Sequence, residues 1–360
     1  MKLLIVENEP EQVQLYLDVI ESYNKTSDVQ IEPKPFFNIE DAKEALKNDY
    51  YDAAIIDLKL TENTSELQGM EIVNSIIDKL RFPVFIVSGS IGQIDTPESA
   101  LFKKRLRDGD FKDILKEILK IYNTGITKIL NNKGTIEEYL NNIFWNHLSN
   151  SMENWIEDVS RSPEEKQKSL LRYTLMHMQE YIDEDIEKYH PSEFYITEPI
   201  KQNIFTGDLV SFKNGDRFIV LTPSCDIVLR KDGTRNTKLI LFCKIKDLKD
   251  EVKNFDKLKV DTGEANDDKK RLFRFIQNSS TQNFHFIPRS NSLQAGLIDF
   301  QDKMTIAESE VNLLIERGEI KRYATVSMPF LKDVISRYSN YYSRQGSPDF
   351  NVSEVYNSLF

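Results

Sequence analysis

The chain has 360 residues, enough for two or three domains of ordinary size, and 40% of them are apolar, which excludes bulk disorder. Its net charge of −11 disfavours a surface built for nucleic-acid phosphates. No apolar run approaches the ~20 residues of a spanning helix, and the first residues turn acidic instead of forming a signal sequence, so we expect a cytoplasmic protein without a membrane partner.

Short apolar runs alternate with amphipathic stretches over residues 1–122. The runs LLIV, AAII and VFIV are typical of strands buried on both faces of a parallel sheet. The stretches between them, EQVQLYLDVIESY, IEDAKEALKN and GMEIVNSIIDKL, have the apolar spacing of helices. This order predicts a doubly wound α/β domain of the flavodoxin-like kind.

Polar side chains follow three of these predicted strands. Glu7, Asn8 and Glu9 come after LLIV, Asp57 after AAII, and Ser88 after VFIV. Because the carboxyl ends of parallel strands meet at one edge of a sheet, we expect these side chains to converge there. Carboxylates suit a divalent cation, and a single aspartate beside that cation suits the acceptance of a phosphoryl group.

The stretches VENEPEQ, DAAIIDLKL and IVSGS resemble, in this order, the acidic, phosphoacceptor and switch-hydroxyl strands of response-regulator receiver domains, the CheY-like family. The resemblance implies that Asp57 is the phosphoacceptor and that Ser88 contacts the phosphoryl group. It assigns the family's phosphoryl-contacting lysine to Lys104, with Lys103 as the alternative.

The same resemblance implies a Mg²⁺ ion bound to four groups: the side chains of Glu7, Asn8 and Asp57 and the backbone carbonyl of Lys59. It also implies a bacterial two-component phosphorelay, in which a sensor histidine kinase or a phosphotransfer protein supplies the phosphoryl group and a downstream protein receives the signal. The chain is then a signalling protein rather than an enzyme.

Residues 123–190 have helical patterns without strand signals. Ile136, Leu140, Ile143, Phe144 and Leu148 share one apolar stripe. Ser162 and Pro163 are typical of a helix cap and a first helical position. This segment is predicted to be either a helical connector or a dimerisation surface of a homodimer.

Residues 191–360 are predicted to form an α+β module with a small β-barrel or a curled sheet. Asn214-Gly215 and Asp232-Gly233 lie between apolar runs and predict two hairpin turns. The charged stretch KDLKDEVKNFDKLKVDTGEANDDKKRLFRFIQ predicts a helical excursion or insertion, and the last amphipathic helix is expected to end near Gly346 and Pro348.

Three residues of this last module are candidates for catalysis: Cys225, Asp226 and His285. A nucleophilic cysteine needs a base, which folding would have to bring close, and the alternative is a small buried cysteine that packs in a core. The motifs GDLV, VLTPSCDIV, HFIP and LIDF loosely resemble modules of bacterial anti-phage and stress-response proteins, a resemblance that transfers no catalytic residue.

Three functions therefore stay open for the whole chain. The first is a response regulator whose phosphorylated receiver controls the C-terminal module. The second is an enzyme with its catalytic site in that module, gated by the receiver. The third is a degenerate receiver that is not phosphorylated and serves for docking.

Overall fold

The computed structural model describes residues 1–59, 69–89, 96–183, 188–230, 232–259, 267–290, 293–344 and 349–360. Their contacts divide the chain into two compact units, Met1–Ile186 and Glu187–Phe360. The division into three segments with boundaries at 122 and 190 stays a prediction.

Five strands form the sheet of the first unit: β1 (Lys2–Val6), β2 (Glu32–Phe36), β3 (Ala53–Ile56), β4 (Val84–Ser88) and β5 (Phe102–Leu106). All neighbouring strands are parallel, in the order β2-β1-β3-β4-β5. This is the strand order of flavodoxin-like doubly wound folds, CheY among them. Strands β3 and β4 are buried along their whole length, which explains their continuous apolar sequence. The predicted fold class is confirmed.

Four helices cover the two faces of this sheet: α1 (Pro10–Asn24), α2 (Ile39–Asn48), α3 (Gly69–Lys79) and α4 (Phe111–Tyr122). Apolar side chains of α1 and α4, such as Tyr16 and Ile118, pack on one face. Those of α2 and α3, such as Leu46 and Ile72, pack on the other. The sheet is therefore a middle layer, and its polar groups lie at the strand ends.

The connection between β4 and β5 differs from the three connections before it. Those three contain α1, α2 and α3, whereas Gly89 and residues 96–101, the described part of this one, contain no helix. An apolar cavity of about 430 Å³ lies beside the start of β5, lined among others by Ile77, Leu101 and Ile126.

The rest of the first unit is helical, as predicted. It contains α5 (Ile126–Leu130), α6 (Thr135–Asn142), a π-helical segment (Ile143–Leu148), α7 (Ser149–Ile156) and α8 (Pro163–Ile182). Ser162 caps α8, because its hydroxyl accepts from the Glu165 backbone N–H and the Glu165 carboxylate accepts from the Ser162 N–H. In the predicted apolar stripe, Ile143 and Leu148 are buried, but Phe144 is exposed.

Seven antiparallel strands form a curled sheet in the second unit. They are β6 (Tyr195–Thr197), β7 (Asp208–Phe212), β8 (Arg217–Val220), β9 (Leu239–Lys246), β10 (Phe284–Ile287), β11 (Gly296–Ala307) and β12 (Ile320–Val326). Their order is β10-β11-β9-β8-β7-β12-β6. Alternate residues point to opposite faces, so Ile219 and Cys243 belong to one apolar cluster and Phe218 and Phe242 to the other.

The helices of this unit are α9 (Ser224–Ile227), α10 (Leu248–Glu251), α11 (Asp267–Ile276), α12 (Glu308–Glu316), α13 (Met328–Ser343) and α14 (Val352–Ser358), with 3-10 turns at Pro191–Phe194 and Phe255–Lys259. The charged stretch thus contains helical pieces, and residues 260–266 within it lie outside the described residues. The predicted end near Gly346 and Pro348 also lies outside them.

One of the two predicted hairpins is confirmed. Gly215, at φ 87°, turns the chain between β7 and β8, which pair antiparallel. The other prediction is confirmed for its strands but not for a tight turn. β8 and β9, on either side of Gly233, do pair antiparallel. Gly233, at φ 80°, lies in a long connection between them, because β8 ends at Val220 and the short helix α9 begins at Ser224.

Candidate functional site

Three acidic or hydroxyl side chains meet at the carboxyl edge of the parallel sheet. Glu7 directly follows β1, Asp57 follows β3, and Ser88 is the last residue of β4. Because these strands are neighbours, their ends lie side by side. The Glu7 and Asp57 side chains are only 2% and 1% exposed, and Ser88 is also buried.

Arg107 supplies the positive charge of this pocket. Its Nη2 lies 2.7 Å from Asp57 Oδ2 and 3.1 Å from Glu7 Oε2, and its Nη1 contacts the Glu9 carboxylate. The side chain is 23% exposed, more than those of the two acids that it contacts, Glu7 and Asp57. A buried pair of carboxylates needs such a cation, because each charge alone is costly to desolvate.

The pocket contains buried polar atoms without hydrogen-bond partners among the described residues. Both carboxyl oxygens of Asp57 are in this state, since the contact with Arg107 is an ion pair without hydrogen-bond alignment. The Arg107 Nε–H is in the same state. Unpaired acceptors and an unpaired donor side by side are the arrangement that a bound cation and an anionic oxygen together would satisfy.

Glu7 has a strongly shifted acidity. Burial raises its pKa to about 7, and the Asp57 carboxylate adds to the rise, while the Glu9 backbone N–H and Arg107 oppose it. The Glu9 N–H donates to Glu7 Oε1 at 3.1 Å. The pKa of Glu7 thus stays raised even with the Arg107 guanidinium beside it.

Asn8 lies between two of the predicted metal ligands. Its amide nitrogen donates to the Lys59 carbonyl oxygen at 3.1 Å and to Glu7 Oε1 at 3.2 Å, an orientation that follows because both neighbours are acceptors. The amide therefore supplies donors where a carboxylate at this position would supply acceptors.

The residues of the pocket fit a magnesium ion with two charged ligands. Glu7 and Asp57 present buried carboxylate oxygens and Lys59 a backbone carbonyl, which are the hard oxygen ligands that Mg²⁺ prefers. In the described part of the chain no group of three or more acidic, histidine or cysteine side chains could hold a metal ion.

The structure places a different cation at Asp57 from the one assigned by sequence. In the parallel register of β4 and β5, Ser88 lies beside Leu106 and Ile86 beside Lys104. The pocket edge is therefore reached by the residue after Leu106, which is Arg107, and its N–H donates to the Ser88 carbonyl at 3.2 Å. Lys104 and the alternative, Lys103, lie within the strand, and the Lys104 N–H donates to Glu98.

Sequence reasoning missed Arg107 although a signal was present. The run KKRLR of residues 103–107 contains four basic residues in five positions, and period-two alternation alone does not say which of them passes the end of the strand.

Gly69 holds the backbone of Asp57 in place. Its N–H donates to the Leu58 carbonyl at 3.1 Å at the start of α3. A Cβ atom at this position would lie 2.2 Å from the Asp57 carbonyl oxygen and 2.9 Å from the Leu58 Cα, so only glycine permits this approach.

The three catalytic candidates of the second unit are not brought together. Cys225 is exposed, and it lies with Asp226 in α9, after β8. His285 lies in β10, which β9 and β11 separate from β8, and it is buried beside Phe194. Ile227 of α9 packs in the cluster on one face of the sheet and Phe194 in the cluster on the other. The shared cleft that a receiver-gated enzyme would need is therefore absent for these residues.

No family model matches the chain, and no curated protein matches it. Several solved structures are similar to its first third. A CheY-like receiver domain from Methylobacillus flagellatus is 21% identical, with a TM-score of 0.27 over 33% of this chain and 98% of that one. TrrA from Thermotoga maritima, solved in complex with Mg²⁺ and BeF, is 17% identical, with a TM-score of 0.27 over 33% and 97%. The BeF3-activated receiver domain of RstA from Klebsiella pneumoniae is 14% identical, with a TM-score of 0.28 over 33% and 97%.

These similarities carry no residue roles to this chain at such identities and TM-scores. Among the helices that the structure describes, none combines the length and the apolar character that crossing a bilayer requires.

The fold of the first unit is identified by its own strand order and by the two layers of helices on its sheet. Its N-terminal part therefore has the fold of response-regulator receiver domains.

Proposed function

We propose that the chain is a two-component response regulator in which Asp57 accepts a phosphoryl group. The observation that carries the proposal is the buried Asp57 carboxylate at the end of β3, whose two oxygens lack hydrogen bonds while Arg107 lies 2.7 Å away. A buried carboxylate kept without hydrogen bonds retains its lone pairs for a nucleophilic attack.

In the proposed reaction an Asp57 oxygen attacks the phosphorus atom of a phosphohistidine or of a small acyl phosphate. The new O–P bond forms as the bond from phosphorus to the donor nitrogen or oxygen breaks, and the electron pair of that bond leaves with the donor group. Arg107 lies where it can stay with the new negative oxygens, and Ser88 is placed on the neighbouring strand to donate its hydroxyl.

Magnesium, when bound to Glu7, Asp57 and the Lys59 carbonyl, would neutralise charge during the transfer. The Asn8 amide could join through its oxygen after a flip of the side chain. Arg107 already compensates the two carboxylates, and position 8 has an amide instead of a third carboxylate. For both reasons we expect the ion to bind weakly.

The proposal extends to the partners. A sensor histidine kinase or a phosphotransfer protein of the bacterial cytoplasm would supply the phosphoryl group, and the second unit would act as the output module that contacts a downstream protein. The loose resemblance of its motifs to anti-phage and stress-response modules supports, as part of this proposal, an output in that kind of signalling.

The test is a phosphorylation assay on the full chain. The protein is incubated with Mg²⁺ and acetyl phosphate, and its intact mass is measured for wild type, Asp57→Asn and Asp52→Asn. Asp52 is the matched control, because it is also a largely buried carboxylate of this unit but accepts a hydrogen bond from the Lys2 N–H. We expect a phosphate-sized gain in wild type and Asp52→Asn and none in Asp57→Asn. A gain that survives in Asp57→Asn would refute the assignment.

A second function, docking without phosphorylation, has its own support. Arg107 and the Asn8 amide already give the pocket a cation and hydrogen-bond donors, so its acidic groups are partly compensated without phosphate. If wild type gains no mass from acetyl phosphate and no thermal stabilisation from beryllium fluoride with Mg²⁺, the docking function stands and the switch does not.

A further inference from the structure

Helix α8 has one packed side and one side without a partner. None of its 20 residues, all of which the structure describes, is buried. On the packed side the Tyr173 ring lies 5.7 Å from that of Trp155, and the Tyr181 hydroxyl lies 3.0 Å from His147 Nε2. Helices of this length owe most of their stability to a buried apolar face, which α8 lacks in the single chain.

The unpartnered side carries a regular row of apolar residues. Leu171, Leu175 and Ile182 are 61%, 59% and 59% exposed, and the half-buried Met178 lies between them. Their spacing of four, three and four residues is that of a coiled-coil seam. Single exposed leucines are ordinary on protein surfaces, but a row at this spacing is typical of a helix–helix contact.

The charged residues beside this row can pair with the same residues of a second, antiparallel copy of α8. At about 100° per residue, Lys168, Arg172 and Asp183 lie on the same flank of the row. Lys168 and Arg172 come early in the helix, together with Glu165 on the same flank, and Asp183 comes just after its last residue. In a pair of antiparallel helices related by a two-fold axis, identical flanks meet with their directions reversed. Such a pair, centred between Leu175 and Met176, places Lys168 opposite Asp183 of the second copy.

We propose that α8 pairs with α8 of a second copy of this chain, antiparallel, with Leu171, Leu175 and Ile182 in the seam and Lys168 opposite Asp183. This inference goes beyond the phosphorylation of Asp57 and does not depend on it. The apolar row supplies the binding energy, and the charges select the antiparallel orientation.

The apolar part is tested by sedimentation equilibrium of the full chain over a range of concentrations. We expect wild type to dimerise and Leu175→Glu to raise the dimer dissociation constant about 100-fold or more, because each dimer loses two buried leucines. Leu15→Glu is the matched control, since Leu15 is 59% exposed, as Leu175 is, but lies on α1 and outside the proposed seam. This variant should stay within about twofold of wild type. Equal helical circular dichroism of the three proteins shows that α8 is intact.

The orientation is tested by charge reversal in the same assay. Lys168→Glu and Asp183→Lys should each weaken the dimer about threefold or more, and the double variant should return to within about twofold of wild type. A wild type that stays monomeric at the highest concentration would overturn the inference, because α8 would then have another occupant. A dimer that tolerates Leu175→Glu, or a double variant without rescue, would do so as well.

Discussion

The Arg107 guanidinium lies 2.7 Å from the Asp57 carboxylate, although 50 positions separate the two residues in sequence. This ion pair joins the residue after β5 to the residue after β3, across β4. The Arg107 guanidinium also contacts Glu7, so one cation pairs with both buried acids at the carboxyl edge. A metal ion that bound these two acids would therefore compete with the Arg107 guanidinium for them.

Removing that side chain should make the pocket depend on magnesium. Arg107→Ala leaves Glu7 and Asp57 uncompensated, and we expect a loss of about 2 kcal/mol in the free energy of unfolding without divalent ions, less than for a fully buried pair. Added Mg²⁺ should restore more stability in the variant than it adds to wild type. Both tryptophans, Trp145 and Trp155, lie in the first unit, so their fluorescence in thermal melts reports on it.

The matched control for this experiment is Arg105→Ala. Arg105 is an arginine of similar exposure that pairs with Glu98 and Glu117 away from the pocket. Its variant should respond to Mg²⁺ as wild type does. An equal magnesium response of the Arg107 and Arg105 variants would contradict the competition.

Asn8→Asp should convert the pocket into a stronger metal site. The substitution removes the donors to Glu7 and the Lys59 carbonyl and adds a third carboxylate. In EDTA we expect a lower melting temperature than wild type, because acceptors then face one another. Isothermal titration with Mg²⁺ should show an affinity about tenfold higher. An affinity equal to that of wild type would mean that position 8 does not face the ion.

Gly69→Ala should displace Asp57, the proposed phosphoacceptor, without changing its carboxylate. The added methyl group would lie 2.2 Å from the Asp57 carbonyl oxygen, so the strand end or the start of α3 must shift. We expect a loss of about 2 kcal/mol in stability and a slower mass gain from acetyl phosphate. Gly89→Ala is the control, because none of the residues that the structure describes lies within 4 Å of its added Cβ atom. A Gly69→Ala variant with wild-type stability and rate would exclude this close approach in solution.

His285 should make the second unit less stable in acid. Burial lowers its pKa to about 4, below the ordinary 6.5, and its Nδ1 lies 3.1 Å from the Asn278 Oδ1. The unfolded chain thus binds the proton more readily, and stability is lost as the pH falls from about 6.5 towards 4. From the size of the shift we expect a loss of about 2 kcal/mol at pH 5.

Hydrogen exchange of the β10 and β11 amides, corrected for the intrinsic rate at each pH, measures this loss. His285→Asn should remove the part of the acid sensitivity that the buried ring causes. His190→Asn, a change at an exposed histidine of the same unit, should leave the acid sensitivity unchanged. Identical pH profiles of wild type and His285→Asn would disprove the prediction.

The sequence was most informative where local pattern and burial agree. Strands such as AAII and VFIV are buried on both faces, so an unbroken apolar run could be recognised as a strand of a parallel sheet. The cap at Ser162 and the turn at Gly215 were predictable for the same reason, because a few neighbouring residues determine them.

What escaped prediction depends on register and on contacts between distant residues. Whether Lys104 or Arg107 reaches Asp57 is decided by where β5 stops beside Ser88, and no local pattern records that point. The alternative of a small buried cysteine at position 225 was wrong. The Asp226 and Ile227 N–H groups donate to the Pro223 carbonyl in a short helical turn that exposes Cys225. Its separation from His285 follows from the strand order of the whole sheet.

The position of Arg107 also connects the pocket to the helix that follows it in the chain. Asp110 caps α4 three residues later by accepting from the Lys112 N–H at 2.9 Å. A new charge on Asp57 would pull on a side chain whose backbone leads directly into this helix. Only three residues separate Arg107 from the start of α4, so a shift of Arg107 would be transmitted to that helix. Beyond α4 the chain continues to α8, the helix that contains Leu175.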